Sequence, residues 1–536
     1  MKRPEFSAWH ELRQQNFFSI HDELHHSIRF YFGDDFFNDN KADFEKFGAV
    51  CAEELEELIA DCDFLDHGPK LDTESNKIEF HPSYNKAGSL IWKSGILSNS
   101  LDEGHAPKQA LLFYLLAHQG EGGHCCPIAC TSGLIHALDT YGSEDLKEQF
   151  LPPLLESTYE NAHMGAQFLT EIQGGSDVGA NRTRAAQDEN GTWRISGEKW
   201  FCSVANAEQF FVTARVGDKA GTKGLGAFLI PRHCQDGTLN HFQLNKLKDK
   251  FGTRAMATGE IEFNKAIAYP LGAPEEGIKI AVGLVLNTSR WINALGSTGA
   301  MRRAYVEAST YAETREAFGK KIGNFPLVQN LLLKMRAEEQ AALGSTLYLT
   351  KLINELKTKP DKNTQMLYRF LINANKISTA LNGTEVIRTA IELLGGNGTI
   401  EDFCVLPRLL RDNIVFENWE GTHNVLATQI LKDCQKQELH KAVFAEIDSL
   451  IQRAEDNSLL AHGQKLRHRL DILQQNFDRA MQDEVYALKR IRDLALELLR
   501  CWQIGLLLAE SQWAKTNTVH SNKAESIAYL LGEDGF

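Results

Sequence analysis

The apolar positions of residues 1–160 follow the helical period. Residues 110–119, ALLFYLLAHQ, carry apolar side chains on more than one face, which predicts a buried helix. Ser143 can cap a following helix, and Glu144 and Asp145 suit its positive end. Pro152 and Pro153 are expected to end that helix. The first 160 residues are therefore expected to form a helical domain.

The pattern changes between residues 161 and 272 to short runs rich in aromatic and β-branched side chains. The runs include GTWRISGEKWFCSV, EQFFVTARV and GLGAFLIP. Turn dipeptides such as Asn190-Gly191 and Asp236-Gly237 separate them. Such short runs between turns are typical of a small antiparallel β-domain.

Helical periodicity returns after residue 272. Leu327, Leu331 and Met335 share one helical face, and Pro360 marks a break between two helices. Residues 435–536 place Leu, Ile and Ala between charges, as an added helical module would. The predicted fold is mostly α with a central small β-domain. Its domains are 1–160 (helical), 161–272 (β), 273–434 (helical) and 435–536 (C-terminal helical extension).

Charge and cysteine usage narrow the function classes. The 536-residue chain carries 57 basic and 71 acidic side chains, a net charge of −14 that disfavours general binding to phosphate backbones. Ten scattered cysteines and the absence of an apolar leader after Met1 favour reduced thiols and a cytoplasmic location. Apolar runs such as 504–509 are far shorter than the roughly 20 residues of a membrane span.

The segment FLTEIQGGSDV, residues 168–178, is the first candidate for chemistry. A strand end delivers Thr170, and two glycines let the backbone turn tightly and approach a ligand. Ser176 and Asp177 offer a hydroxyl and a carboxylate at that turn. An ordinary Gly-Gly loop with an Asx-type turn is the alternative interpretation.

The segment RDNIVFENWEGTHN, residues 411–424, is the second candidate. Glu420 follows an aromatic residue and precedes a glycine, and a carboxylate beside apolar surface has the raised pKa of a general base. The alternative is a loop carboxylate that caps the helix beginning after Thr422.

Three weaker patterns remain. Residues 394–398, LGGNG, either admit a bulky flat ligand or simply end a helix. Arg315 follows a long helix and either pairs with a phosphate or is a solvated charge. His124 with its neighbouring cysteines lacks a paired CxxC, so no metal site is expected.

Taken together, these motifs resemble the acyl-CoA dehydrogenase family of flavoproteins. The matching segments run in family order over about residues 80–432: YGSEDLKEQFLPPL, FLTEIQGGSDV, SGEKWFCS, REAFGKKIGNFPLVQ, LGGNG and WEGTHN. The length, LKDKFGTR and the helical tail look most like the alkylation-response (AidB-type) branch. The resemblance implies a helical domain, a β-barrel-like domain and a four-helix bundle, with FAD between the β-domain and the second helical domain.

The resemblance also implies roles for individual residues. Glu420 falls on the catalytic base, and Arg290 on an arginine behind it that orients the carboxylate. Ser176 matches a residue near the acyl-CoA phosphates. The positions that match FAD contacts are Gln167, Leu169, Thr170, Phe201, Ser203, Arg315, Phe318, Gln329, Glu392, Gly396, Thr422 and Asn424. Phe201, Glu392 and Asn424 depart from the usual tryptophan, glutamine and glutamine.

The implied reaction is α,β-dehydrogenation of an acyl-CoA thioester. Glu420 removes the α-proton, and the β-hydrogen leaves as hydride to flavin N5, with electrons passing to an external acceptor such as an electron-transfer flavoprotein. A homotetramer is expected, because Arg315, Phe318 and Gln329 match positions that reach a neighbour's FAD. Two alternatives stay open. One is an acyl-CoA oxidase. The other is an alkylation-response flavoprotein that binds DNA through the tail, although the tail carries 13 basic and 15 acidic residues.

Overall fold

The structure is a computed structural model that describes residues 4–532. The helices are α1 (Ser7–Arg13), α2 (Asp22–Ala52), α3 (Glu54–Asp63), α4 (Pro82–Trp92), α5 (His105–Leu116), α6 (Cys125–Tyr141), α7 (Glu144–Leu154), α8 (Gly277–Ile280), α9 (Asn287–Thr314), α10 (Pro326–Thr358), α11 (Lys362–Leu394), α12 (Leu406–Asn418), α13 (His423–Gln437), α14 (Leu439–Gln452), α15 (Asn457–Gln482), α16 (Glu484–Thr516) and α17 (Lys523–Leu531). The strands are β1 (Lys70–Asp72), β2 (Lys77–Glu79), β3 (Gly165–Phe168), β4 (Arg184–Gln187), β5 (Trp193–Ser203), β6 (Gln209–Val216), β7 (Leu225–Pro231), β8 (Phe242–Leu247), β9 (Thr258–Leu271), β10 (Glu316–Ala317) and β11 (Lys320–Lys321). A mostly helical fold with a central β-domain and a helical C-terminal region is thus confirmed.

The described residues form two compact units. Unit 1 contains residues 4–53, 106–120 and 293–532, and unit 2 contains residues 54–105 and 121–292. Each unit is discontinuous in sequence, because the chain passes between them several times.

The β-domain of unit 2 is a closed, barrel-like sheet. Its ring runs β6-β4-β5-β9-β7 and returns to β6, while β3 and β8 join at β6 and β9. The strands β3 and β4 pair with β6 in parallel, so the expectation of a purely antiparallel domain was wrong in this detail. Long connections bring β6 beside strands that run in its own direction, which a local hairpin pattern cannot predict.

The core of unit 1 is built from its long helices. Apolar side chains of α9, α10, α11 and α12 pack together with Trp9 in one buried cluster. The C-terminal helices belong to the same unit. Tyr31 and Ser27 of α2 donate hydrogen bonds to the buried Glu510 of α16, at 2.8 and 2.6 Å. The extension is therefore bound into unit 1 by buried polar contacts as well as by apolar packing.

Several local expectations can be checked within residues 54–160. Ser143 caps α7 through its contact with the Leu146 amide at 3.4 Å, as predicted. Pro152 and Pro153 lie inside the last turn of α7, which ends one residue after them at Leu154. The hairpin β1–β2 interrupts the stretch predicted as helical. None of the described helices is long and apolar enough to cross a membrane.

Candidate active site

The turn after β3 presents Thr170 at the end of a buried strand in unit 2. All four residues of β3 are buried, whereas Thr170 is partly exposed. A Cβ placed on Gly175 would lie 2.6 Å from Thr170 Oγ1, so only glycine fits there. Gly174 has φ 139°, a left-handed conformation that also favours glycine. The two glycines thus fold the turn back onto Thr170, and Ser176 beside them is exposed.

A buried ion pair stabilises the turn after β3. Lys199 Nζ lies 2.9 Å from Glu171 Oε1 and also donates to the Leu169 carbonyl at 3.3 Å. Burial alone would raise the pKa of Glu171, but the Lys199 ammonium and the bonds from Arg182 N and Gln173 lower that pKa to about 2. Charges buried as deeply as this pair are stable only when they are well bonded. The pair therefore fixes the backbone on both sides of Thr170.

Strand β5 contributes an exposed aromatic face and a hydroxyl. The Phe201 side chain is 54% exposed, although it is a large apolar residue. Lys248 Nζ lies 3.4 Å from the centroid of the Trp200 ring and 4.9 Å from that of Phe201. Ser203 Oγ lies 3.4 Å from Thr258 Oγ1. An exposed ring beside a hydroxyl suits a flat, polar-edged ligand.

Gln167 of β3 contacts the first turn of α9, in which Arg290 lies. Gln167 Nε2 donates to Ser289 Oγ at 3.0 Å, and the neighbouring Arg290 donates to Asn287 Oδ1 at 2.9 Å. Both side chains are buried, and Leu169 is buried as well. The structure thus brings Gln167, the end of β3 and the first turn of α9 together.

Glu420 lies in unit 1 on a turn between α12 and α13. Its φ is 60°, which is uncommon for a residue with a side chain, and Gly421 follows at φ 105°. Trp419 precedes it and stacks on Phe416 with ring centroids 5.2 Å apart. The residue that caps α13 is Thr422. Glu420 is therefore not the N-cap residue of α13, and it lies on a strained turn directly after the residue that stacks on Phe416.

Lys376 of α11 holds the two ends of that turn. Its ammonium group is fully buried and donates to the carbonyls of Glu417 and Gly421, at 3.0 and 3.1 Å. Burial, followed by the nearby Lys376 charge, lowers the pKa of His423, while a contact with Glu417 opposes this. The backbone on either side of Glu420 is thus bonded to one buried cation.

Asn424 lies in the first turn of α13 and contacts the C-terminal helices. Arg492 Nη1 of α16 lies 3.3 Å from Asn424 Oδ1. Arg492 belongs to one of two short basic clusters in the tail, residues 465–469 (KLRHR) and 489–492 (KRIR). In the first cluster Arg467 pairs with Asp448 at 3.2 Å, and Arg469 pairs with Glu497. These acidic partners reduce the positive charge that the clusters offer to a polyanion.

Five further predicted site residues lie on the exterior of unit 1. Phe318 is 97% exposed at the tip of the β10–β11 hairpin, and Arg315 precedes that hairpin. Gln329 in α10 is exposed, as are Glu392 and Gly396 around the LGGNG loop. Tyr311 links the two segments, because it accepts from the Arg315 amide at 2.8 Å and its hydroxyl bonds Asn397 at 3.1 Å. The loop and the hairpin base thus meet at Tyr311.

The residues present fit a flavin nucleotide. The cradle around Gly175 would be filled by a single Cβ, and the Phe201 ring offers a flat apolar face. A Cβ at Gly396 would meet open space, so the LGGNG loop has room beside it. These features lie in two separate groups, one in each unit.

Comparison with known proteins defines the class. Residues 166–266 match the middle domain of acyl-CoA dehydrogenases, and residues 275–434 match their C-terminal domain. AidB of Escherichia coli K12, named as an acyl-CoA dehydrogenase, is 32% identical over 400 residues, covering 69% of each chain. The chain belongs to the acyl-CoA dehydrogenase family, the FAD-dependent oxidoreductases that act on acyl-CoA.

Within that family the chain is of the AidB type. Residues 10–161 match the AidB N-terminal domain. Acyl-CoA dehydrogenase family member 11 of Caenorhabditis elegans is 28% identical over 515 residues, covering 91% of this chain and 82% of the relative. The crystal structure of Caenorhabditis elegans ACDH-11 in complex with C11-CoA superposes with a TM-score of 0.90 at 25% identity, over 95% of this chain and 90% of that one.

Two supporting residues escaped the sequence analysis. Lys376 is the single charged residue between Arg369 and Glu385, and a lone charge in a long uncharged helical stretch could have indicated it. Lys199 lies in the SGEKWF strand at a buried position. A buried charge requires a partner, but the sequence does not indicate which residue that partner is.

Proposed function

We propose that this protein catalyses α,β-dehydrogenation of an acyl-CoA thioester with Glu420 as the base. The observation that carries the proposal is the Glu420 turn, with φ 60° and both flanking carbonyls bonded to the buried Lys376. A carboxylate fixed in this way can meet a weakly acidic C–H in a defined orientation, as general-base catalysis requires.

Glu420 would take the α-proton, which the thioester carbonyl acidifies. Negative charge then develops on the thioester oxygen, and a backbone N–H at the turn is suited to stabilise it. Bound FAD supplies the acceptor for the β-hydrogen at N5. By the family resemblance, we also assign Arg290, buried at the start of α9, to the catalytic residues.

The FAD-holding residues form the two groups described above. Thr170, Leu169, Gln167, Phe201 and Ser203 would contact the flavin ring. By the family resemblance, we also assign Thr422 and Asn424 of unit 1 to the FAD-binding residues. Arg315, Phe318, Gln329, Glu392 and Gly396 would hold the adenine-diphosphate part of FAD on a neighbouring subunit, and Ser176 would approach the phosphates of acyl-CoA.

Assembly, location and electron flow are part of the same proposal. Phe318 at 97% exposure is an apolar side chain that an isolated chain leaves in water, which favours a homo-oligomer and, by the family pattern, a tetramer. We place the protein in the cytoplasm, with an electron-transfer flavoprotein as the acceptor. We also propose that the chain is organised in four domains: 1–160, 161–272, 273–434 and 435–536.

The test is anaerobic bleaching of the flavin absorbance against a panel of acyl-CoA chain lengths. The panel includes C11-CoA, because Caenorhabditis elegans ACDH-11 binds it. Rapid bleaching by at least one thioester is expected, and the corresponding free acid should give none. Failure of every thioester on FAD-loaded protein would overturn the dehydrogenase proposal. Peroxide formation in air would assign the electrons to oxygen, as in an oxidase.

A further inference from the structure

Asp61, His67 and His81 form a cluster in unit 2 that the dehydrogenase chemistry does not use. One ligating atom of each side chain lies within 4.8 Å of those of the other two. His67 Nδ1 lies 3.3 Å from Asp61 Oδ1, and His81 Nδ1 lies 3.3 Å from Asp61 Oδ2. The three side chains come from the end of α3, the short turn after it, and the residue that caps α4.

These separations suit a tetrahedral transition-metal ion. Zinc binds imidazole nitrogen and carboxylate oxygen at about 2.0–2.1 Å, which places neighbouring tetrahedral ligands about 3.3–3.4 Å apart. Each imidazole nitrogen lies 3.3 Å from a different oxygen of Asp61, so binding of one ion through a single oxygen requires a small shift of the side chains. Two imidazoles and one carboxylate also favour a first-row transition metal, because calcium and magnesium prefer oxygen ligands.

The fold beneath the cluster keeps the backbones of Asp61 and His81 in place. Cys62, Phe80 and Tyr84, which adjoin Asp61, His81 and Ser83 in the sequence, belong to one packed apolar cluster with Ala255. The Phe80 and Tyr84 rings stack at 4.1 Å. Asp61 and His81 are thus sequence neighbours of packed residues, and a rigid scaffold of this kind preorganises a site.

Access and support are also present. The side chains of Asp61, His67 and His81 are 39%, 35% and 27% exposed, so an ion and its water ligands can enter from solvent. Ser83 Oγ donates to Asp61 Oδ2 at 2.5 Å, which orients the carboxylate as partners beyond the ligands do in metal sites.

Binding requires limited rearrangement. The two imidazole rings stack at 4.2 Å with an interplanar angle of 7°, and they must tilt apart to aim at one ion. His67 Nδ1 now bonds the Asp61 carbonyl at 2.7 Å, and His81 Nδ1 accepts from Ser83 N at 3.3 Å. Both bonds are half-buried, so water can replace the partner when the rings move.

We propose that Asp61, His67 and His81 bind one divalent transition-metal ion of the Zn²⁺ class, with water completing the coordination. The ion would fasten the end of α3 to the start of α4. It would stabilise that part of unit 2 by mass action, because the unfolded chain does not preserve the three ligands together.

The experiment uses tag-free, full-length, FAD-loaded protein treated with a chelator and then titrated with Zn²⁺ and, separately, Co²⁺. We expect one ion per chain by calorimetry, visible absorption from tetrahedral Co²⁺, a higher melting temperature with Zn²⁺, and no uptake of Mg²⁺. Asp61→Asn and His67→Ala should abolish the calorimetric binding, the Co²⁺ absorption and the rise in melting temperature. The exposed His520→Ala serves as the matched control and should keep them.

Two outcomes would overturn the proposal. Parent protein that takes up no Zn²⁺, or that takes up the same amount as Asp61→Asn, has no metal site here. Asp61→Asn preserves side-chain size and can still accept from Ser83, so its melting temperature without metal reports directly whether the variant is folded. The readouts do not depend on dehydrogenase activity.

Discussion

At the residue scale, Lys376 stabilises the turn that carries Glu420. Its two bonds to backbone carbonyls fix a turn whose φ of 60° would otherwise relax. Lys376→Met removes both donors and leaves the buried carbonyls unpaired. A displacement of about 1 Å at a reacting group can cost roughly 10²-fold in rate. We therefore expect flavin reduction by acyl-CoA to slow by about that factor while FAD stays bound.

Stopped-flow absorbance of the flavin measures this effect. The exposed Lys432→Met on α13 removes a charge without touching the turn and should behave as the parent does. Unchanged reduction in Lys376→Met would show that the turn keeps its conformation without the lysine.

Glu171 makes a second residue-scale prediction, in which stability depends on pH. Its folded pKa is about 2, below the ordinary value, so its stabilising contribution is full above the unfolded pKa. The contribution is lost as pH falls through the folded pKa. Glu171→Gln should cost about 3–5 kcal/mol near neutral pH, because Lys199 is left buried without its partner charge.

Urea denaturation of the parent and of Glu171→Gln should therefore converge as pH falls from about 5 to 2. The comparison between the two proteins cancels the acid titration of other carboxylates. A difference in unfolding free energy that stays constant over this range would show that the Glu171 charge contributes nothing.

At the element scale, the turn after β3 depends on glycine for close packing. Gly175→Ala would push a methyl group to within 2.6 Å of Thr170 Oγ1, so Thr170 must move. We expect weaker FAD binding, measured by calorimetry on protein stripped of its cofactor. Gly283→Ala is the matched control, since its Cβ would meet nothing within 4 Å. Equal FAD affinity in both variants would remove Thr170 from the flavin site.

The β10–β11 hairpin is the element through which we expect subunits to meet. Phe318 and Gly319 have φ 53° and 80°, a two-residue turn that holds a bulky ring outward. Phe318→Ala should weaken the oligomer and loosen FAD together, as seen by light scattering and by flavin release on dilution. Phe251→Ala, at a ring that is 58% exposed in unit 2, should change neither. An unchanged mass for Phe318→Ala would place the interface elsewhere.

At the scale of the whole molecule, sequence patterns predicted the mostly helical class, the β-domain and the family. The motif order made the family visible, because several separate segments had to agree. The parallel pairing of β6 with β3 and β4 could not be predicted from the sequence, because it depends on long connections and not on local periodicity. Lys376 was missed for a related reason, since its carbonyl partners lie more than 40 residues away.

The C-terminal helices illustrate the same limit. Their amphipathic pattern predicted helices but looked like an added module. The structure instead binds them to α2 through Glu510, Tyr31 and Ser27. The sequence gives no sign of this, because the partners are separated by more than 470 residues. Arg467 and Arg469 have acidic partners within the extension, which reduces the positive charge that it offers to a polyanion.

The central claim is that Glu420 is the base, and single-turnover flavin reduction of Glu420→Gln tests it most directly. The substitution keeps size and hydrogen-bonding shape but removes the basic group. The exposed Glu455→Gln serves as the control, because the nearer Glu417 bonds Thr384 and His423 and is therefore not neutral. With the best acyl-CoA of the panel, we expect Glu420→Gln to bind FAD and thioester but to reduce its flavin roughly 10²–10⁴-fold more slowly, while Glu455→Gln matches the parent. Reduction of the Glu420→Gln flavin at the parental rate would contradict the account.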